Sequence, residues 1–277
     1  MRALLSNRSK NALKVLVSIA LCCAVGSAQA HKRWLLPTDF SLSDAEWVSV
    51  DYTASNNVFY VDKGMPLDDI SVLSPSGKAE ALGNPIQSKR RSSFEVHIKE
   101  QGSYRIMSGG EPMYFVAYTV PGSKEVKRAR GPRDKLAREL PEDAKDVKYM
   151  ASVSRIETYV TLGQPSIVKP EQPEPGISLQ IIDHPNALYA DEPARFQFLM
   201  DGKPAKNLTL TLLPEGTRYR DQQAEKTYTT DGDGKVSVEW QGAGRYLLEA
   251  GVETASSDKT IAKVMYSYYL TLDVLKP

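Results

Sequence analysis

The sequence predicts an all-β protein of two Ig-like or transthyretin-like β-sandwich domains joined by a charged and Pro-rich connector. Three observations predict it. Short runs that are apolar or alternate apolar with polar recur at spacings of about ten residues. Turn residues such as Ser74-Pro75-Ser76-Gly77 and Asp201-Gly202 punctuate them, and helical periodicity is nearly missing. The 277 residues suffice for one or two domains, each able to bury a core.

Residues 1–30 read as a secretory signal peptide. Arg2, Arg8, Lys10 and Lys14 make a positive region, Val15 to Val25 an apolar one, and Ala28-Gln29-Ala30 a small-residue cleavage pattern. The apolar run falls short of a membrane span, which needs about 20 residues. Lipidation is not expected, because Cys22 follows Leu21 and Cys23 follows Cys22 rather than a small residue. The expected mature protein is periplasmic, carries no membrane span and begins at His31. Both cysteines lie in the leader, so the remaining 247 residues hold no disulfide or thiolate metal site within one chain. Removing the leader's four cations takes the formal net charge from +1 to −3. That balance excludes a general nucleic-acid binder.

Residues 31–120 form the expected N-terminal sandwich. Trp47 to Tyr52, Asn57 to Val61, Ile70 to Leu73, Ser93 to Ile98, Tyr104 to Met107 and Met113 to Tyr118 are its strand candidates. Residues 121–176 form the expected connector, mixed in charge from Lys124 to Asp146, with a short helix around Asp134–Leu140 and prolines from Pro165 onward. Within it, Met150 to Leu162 looks extended. Residues 177–277 form the expected C-terminal sandwich, with Ser178 to Ile182, Ala194 to Met200, Asn207 to Leu212, Thr227 to Thr229, Val236 to Trp240, Arg245 to Ala250 and Tyr266 to Leu272 as strands.

Candidate chemistry centres on three histidines. A mature terminus at His31 places an α-amine and an imidazole on one residue, a bidentate chelate for a divalent metal once the amine is deprotonated. His97 shares a strand face with Glu95 and Lys99, opposite Phe94, Val96 and Ile98. If that face borders the mature terminus, its imidazole completes a three-nitrogen histidine brace suited to copper, nickel or cobalt. His184 lies in a turn and ranks behind His97. Met65, Met107 and Met113 are thioethers a Cu(I) ion accepts, although methionines more often fill core gaps. Trp34 is a candidate anchor for the terminus. Asp231-Gly232-Asp233-Gly234 reads as a tight turn, since an EF-hand would need Glu where Gly242 stands. No nucleophile elbow, zinc-protease helix or phosphate loop occurs, so enzymatic activity is not expected.

The start His31-Lys32-Arg33-Trp34-Leu35-Leu36-Pro37, the segment Tyr159 to Pro165 and the module running from Phe198-Leu199-Met200-Asp201-Gly202 through Asp231-Gly232-Asp233-Gly234 to Gly244-Arg245-Tyr246-Leu247 resemble an uncharacterised periplasmic family. Its members are often described as periplasmic components of cobalt or nickel uptake systems. The resemblance implies two β-sandwich portions, the second like a carboxypeptidase-regulatory module, and metal binding at His31. The expected function is therefore a periplasmic nickel- or cobalt-binding protein, with copper as a further metal, serving an envelope transporter. Two alternatives stand beside it: a copper histidine-brace redox enzyme, and an envelope interaction or assembly module that needs no metal.

Overall fold

The computed structural model describes residues 31–168 and 174–277; the expected signal peptide, residues 1–30, lies outside them. The chain divides into two units, Met1–His31 and Lys32–Pro277. His31 is the single described residue of the first, and it is exposed.

The second unit is all-β, and its described residues form three sheets. In the front sheet, β1 (Lys32–Pro37), β3 (Glu46–Ser55), β7 (Ser92–Ile98) and β6 (Gly83–Gln87) pair antiparallel in that order, with β4 (Lys63–Gly64) beside β3. The back sheet contains β11 (Ile177–Ile181), β12 (Ala194–Met200), β13 (Lys203–Pro204) and β16 (Lys235–Val238). Between them runs a nine-stranded central sheet. Its path is β15 (Lys226–Thr229), β14 (Thr209–Pro214), β17 (Gly244–Thr254), β18 (Ile261–Val274), β10 (Lys145–Leu162), β8 (Gly102–Thr119) and β5 (Ile70–Leu73). β2 (Ser41–Leu42) joins β10, and β9 (Lys127–Gly131) joins β8. The parallel pairing of β10 with β18 links the two halves of the chain.

Two cores follow from the period-2 alternation of the central strands, whose successive side chains point to opposite faces. Ile156, Val160 and Leu162 of β10 enter the front core with Trp34, Val50, Phe94 and Val96, while Tyr159 enters the back core. β14, β17 and β18 divide in the same way: Leu213, Leu247 and Tyr269 face front, whereas Leu212, Leu248 and Leu270 face back among Phe196 and Phe198. A strand buried on both faces presents apolar residues at consecutive positions, and burying each such side chain contributes about 1.5–3 kcal/mol. The two sandwiches therefore share one sheet rather than standing apart.

This sharing changes the expected connector. Residues 145–162, assigned to it from their charged surroundings, form one of the two longest strands, and α1 (Arg133–Glu139) falls where a short helix was expected. Tyr104–Met107 and Met113–Tyr118 are one strand, bent at Gly109 and Gly110, which have φ of 87° and 99°. A Cβ on Gly109 would lie 2.1 Å from the Ser154 carbonyl oxygen, so only glycine allows this close pairing. Asn57–Val61, expected as a strand, is a turn instead. Phe59 takes φ 59° and sets its ring edge-on to Trp34 with centroids 5.7 Å apart, while Val58 is buried. The apolar run caps the front core instead of joining a sheet.

Both sandwiches use a buried tyrosine to hold a turn. Tyr104 Oη accepts the backbone N–H groups of Lys99 and Glu100 at 3.2 and 2.9 Å. Tyr246 Oη accepts Gln241 N–H at 3.1 Å and donates to the Gly242 carbonyl at 2.8 Å. No helix among the described residues is long and apolar enough to cross a membrane.

Candidate functional site

The chain after His31 is firmly placed. Trp34 and Leu35 are fully buried, and β1 pairs along its whole length with β3, from Lys32 opposite Ser55 to Pro37 opposite Val50. Trp34 thus fixes β1 against the front core.

His97, in β7, lies opposite the other end of β3, paired with Trp47, eight residues from Ser55. At the usual strand rise that is about 27 Å. Its exposed ring stacks on Trp47, with centroids 4.7 Å apart and planes 10° from parallel. The alternation predicted its outward direction correctly, but the outer face of the front sheet is where it leads.

His184 has a different role. Its Nε2–H donates to the Ser166 carbonyl at 3.1 Å, and Nδ1 accepts the Asn186 backbone N–H at 3.0 Å. A carbonyl only accepts, so the ring is neutral with its proton on Nε2, and the lone pair a metal needs is engaged. Burial lowers its pKa, against the smaller opposing effect of the Ser166 bond. Asn186 then donates from Nδ2 to the carbonyls of Phe40 and Tyr159 at 2.5 and 3.1 Å, tying this loop to β10 and the segment before β2. His184 also lines a cleft of about 510 Å³ with Asp183, Leu188, Arg195 and Ser237, where Asp183 and Arg195 pair at 2.8 Å.

Among the described residues, no three His, Cys, Asp or Glu side chains gather into a group able to hold a metal ion. Asp231 Oδ1 accepts the backbone N–H groups of Asp233 and Lys235 at 2.9 and 2.8 Å, the tight turn the sequence indicates.

A group of charges that the sequence did not single out lies inside the molecule. Arg105 of β8 donates to Glu157 of β10 from Nε at 2.8 Å and Nη2 at 3.1 Å, and to both oxygens of Glu174 at 2.9 Å. Arg155 reaches Glu174 at 2.8 Å and the carbonyls of Ile177 and Pro175 at 3.3 and 3.2 Å. Tyr159 and Tyr268 donate their hydroxyls to Glu157. Two positive and two negative groups are thus balanced with Glu157 wholly buried.

Burial alone pushes the Glu157 carboxyl up, but the charge and hydrogen bonds of Arg105, with Tyr159 and Arg155, outweigh it and hold the group below the usual range. Burial likewise works against the Arg105 charge, and Glu157 more than offsets it. The Tyr159 and Tyr268 hydroxyls are held well above their usual value, first by burial and then by the neighbouring Glu157 charge. The network fastens Glu174, Pro175 and Ile177, where the back sheet begins, onto β8 and β10. Its signal in the sequence is Arg155-x-Glu157-x-Tyr159, a polar row opposite apolar Ile156 and Val160, which reads as a solvated face unless a second layer covers it.

Fold and site together define an all-β protein whose two sandwiches share a central sheet, preceded by an exposed histidine. The chain belongs to the family described as Domain of unknown function (DUF4198), whose model matches residues 28–254. Comparison with curated proteins gives no match. Among solved structures, the chain is similar to a DUF4785 family protein from Legionella pneumophila at 9% identity and a TM-score of 0.22, covering 77% of this chain and 50% of that one. The chain thus spans half that protein's length. It is also similar to the D0-D1 domain of Intimin (12%, TM-score 0.21, covering 87% and 97%) and to the FN1-FN3 domains of chicken CNTN1 (9%, TM-score 0.21, covering 86% and 98%). These scores are too low to define a shared fold, and the architecture rests on the strand pairing above.

Proposed function

We propose that this protein is a periplasmic metal-binding protein, without catalytic activity of its own, that takes nickel or cobalt, or copper, at a mature N-terminus formed by His31 and passes it to an envelope transporter. The observation that carries this reading is the exposed His31 followed at once by the anchored strand β1. Side chains alone make no metal group among the described residues. A terminal histidine adds a ligand that side chains do not supply, its α-amine, and forms a five-atom linkage of amine, Cα, Cβ, Cγ and Nδ1 on which one cation can close a chelate. His184 has its lone pair engaged and His97 lies about 27 Å along β3 from the start of β1, so the proposal rests on His31 alone.

The test is to purify the protein from the envelope fraction, establish its first residue by intact mass, and measure bound metal. Close to one nickel or cobalt ion per chain beginning at His31, or one copper ion that is lost on His31→Ala, supports the reading. A chain that begins elsewhere, or that holds no metal after equilibration with these ions, contradicts it.

A further inference from the structure

Three of the six methionines that follow His31 share one face of the central sheet. Ser152 of β10 is paired on one side with Met113 of β8 and on the other with Met265 of β18, so the three side chains leave the same face. Met150, two residues along β10, leaves it too. A spacing of about 4.8 Å per strand sets the Met113 and Met265 backbones about 10 Å apart. Each is a diagonal neighbour of Met150 at about 7–8 Å. With three rotatable bonds apiece, the thioethers can converge over Ser152.

Exposure separates this group from ordinary core filling. Met113 is 44 % exposed, and Met150 and Met265 are half-buried. The harder groups around them are paired with one another: Ser154 Oγ lies 2.7 Å from Ser267 Oγ, and Lys263 donates to Glu253 at 2.6 Å. Phe115, opposite Met150, adds an aromatic ring that a cation can approach.

We propose that Met113, Met150 and Met265 form a binding site for a soft monovalent metal ion, Cu(I). Neutral thioethers select a soft cation over the borderline divalent ions suited to amine and imidazole nitrogen. The site therefore does not rest on the reading of His31.

The experiment uses the full chain and Ag(I), a redox-stable probe of Cu(I) sites, followed by Cu(I) under anaerobic competition with a chelator. Methionine methyl NMR signals report which residues respond. The expected result is one ion per chain, with shifts at Met113, Met150 and Met265 but not at Met65 or Met200. Replacement of each of the three by Leu, which nearly conserves volume, weakens binding at least about tenfold, or ~1.4 kcal/mol, with unchanged circular dichroism. Binding persists in His31→Ala. Absence of binding, retention of full affinity in the triple Leu variant, or loss on His31→Ala overturns the proposal.

Discussion

Replacing Glu157 by Gln tests whether the buried charges act as a closed set. The change conserves shape and one carbonyl oxygen but removes the negative charge that Arg105 meets at 2.8 and 3.1 Å. Removing one partner of a buried ion pair costs about 3–5 kcal/mol. Arg105 keeps Glu174 at 2.9 Å, so the lower end, about 3 kcal/mol, is expected. At about 2–4 °C per kcal/mol for a unit of this size, Tm falls by about 6–12 °C. Thermal and urea unfolding followed by circular dichroism measure it, with exposed Glu46→Gln as a control expected within about 0.5 kcal/mol of the parent. A loss under about 1 kcal/mol for Glu157→Gln, the worth of an exposed pair, would refute the claim that water is shut out.

Further expectations concern pH and two single residues. Because the folded Glu157 carboxyl is held low, its contribution is fully present above the ordinary glutamate value of about 4.3 and is lost as pH falls below it. The raised Tyr159 and Tyr268 hydroxyls have the opposite sign: their contribution is complete below about pH 10 and fades above it. Urea midpoints across pH should therefore decline on both sides, with Glu157→Gln flattening the acid side. Trp34→Ala should cost about 3–5 kcal/mol by emptying a fully buried ring site under Phe59, measured by equilibrium unfolding. His184→Ala should cost about 1–3 kcal/mol through two lost hydrogen bonds, while nickel affinity stays unchanged in titration.

Much of the strand map is legible in the sequence because one-sided burial leaves an alternating trace. Ser93–Ile98 alternates and appears as β7, and Arg133–Glu139 matches the short charged helix expected around Asp134–Leu140. Alternation does not reveal what lies beyond a polar face. Arg155, Glu157 and Tyr159 look solvated, yet Glu157 meets Arg105, Arg155 meets Glu174, and Tyr159 packs in the back core. Strand partners distant in sequence are equally silent, so the parallel pairing of β10 with β18, which merges the two sandwiches, has no local mark. At the candidate site, the sequence names the histidines but not their neighbours. The stacking of His97 on Trp47 and the tautomer of His184 come from cross-strand register and loop packing. The methionine group is hidden for the same reason, as its members come from three strands.

The most direct test of the terminal metal site is calorimetric titration of Ni(II) into two forms of the protein, one beginning at His31 and one carrying a single additional residue before it. The extension converts the α-amine into an amide and leaves every side chain in place. Binding of one ion by the first form, weakened at least about a hundredfold (~2.7 kcal/mol) in the second, is the predicted result. Equal affinity in both forms would contradict a ligand role for the His31 amine.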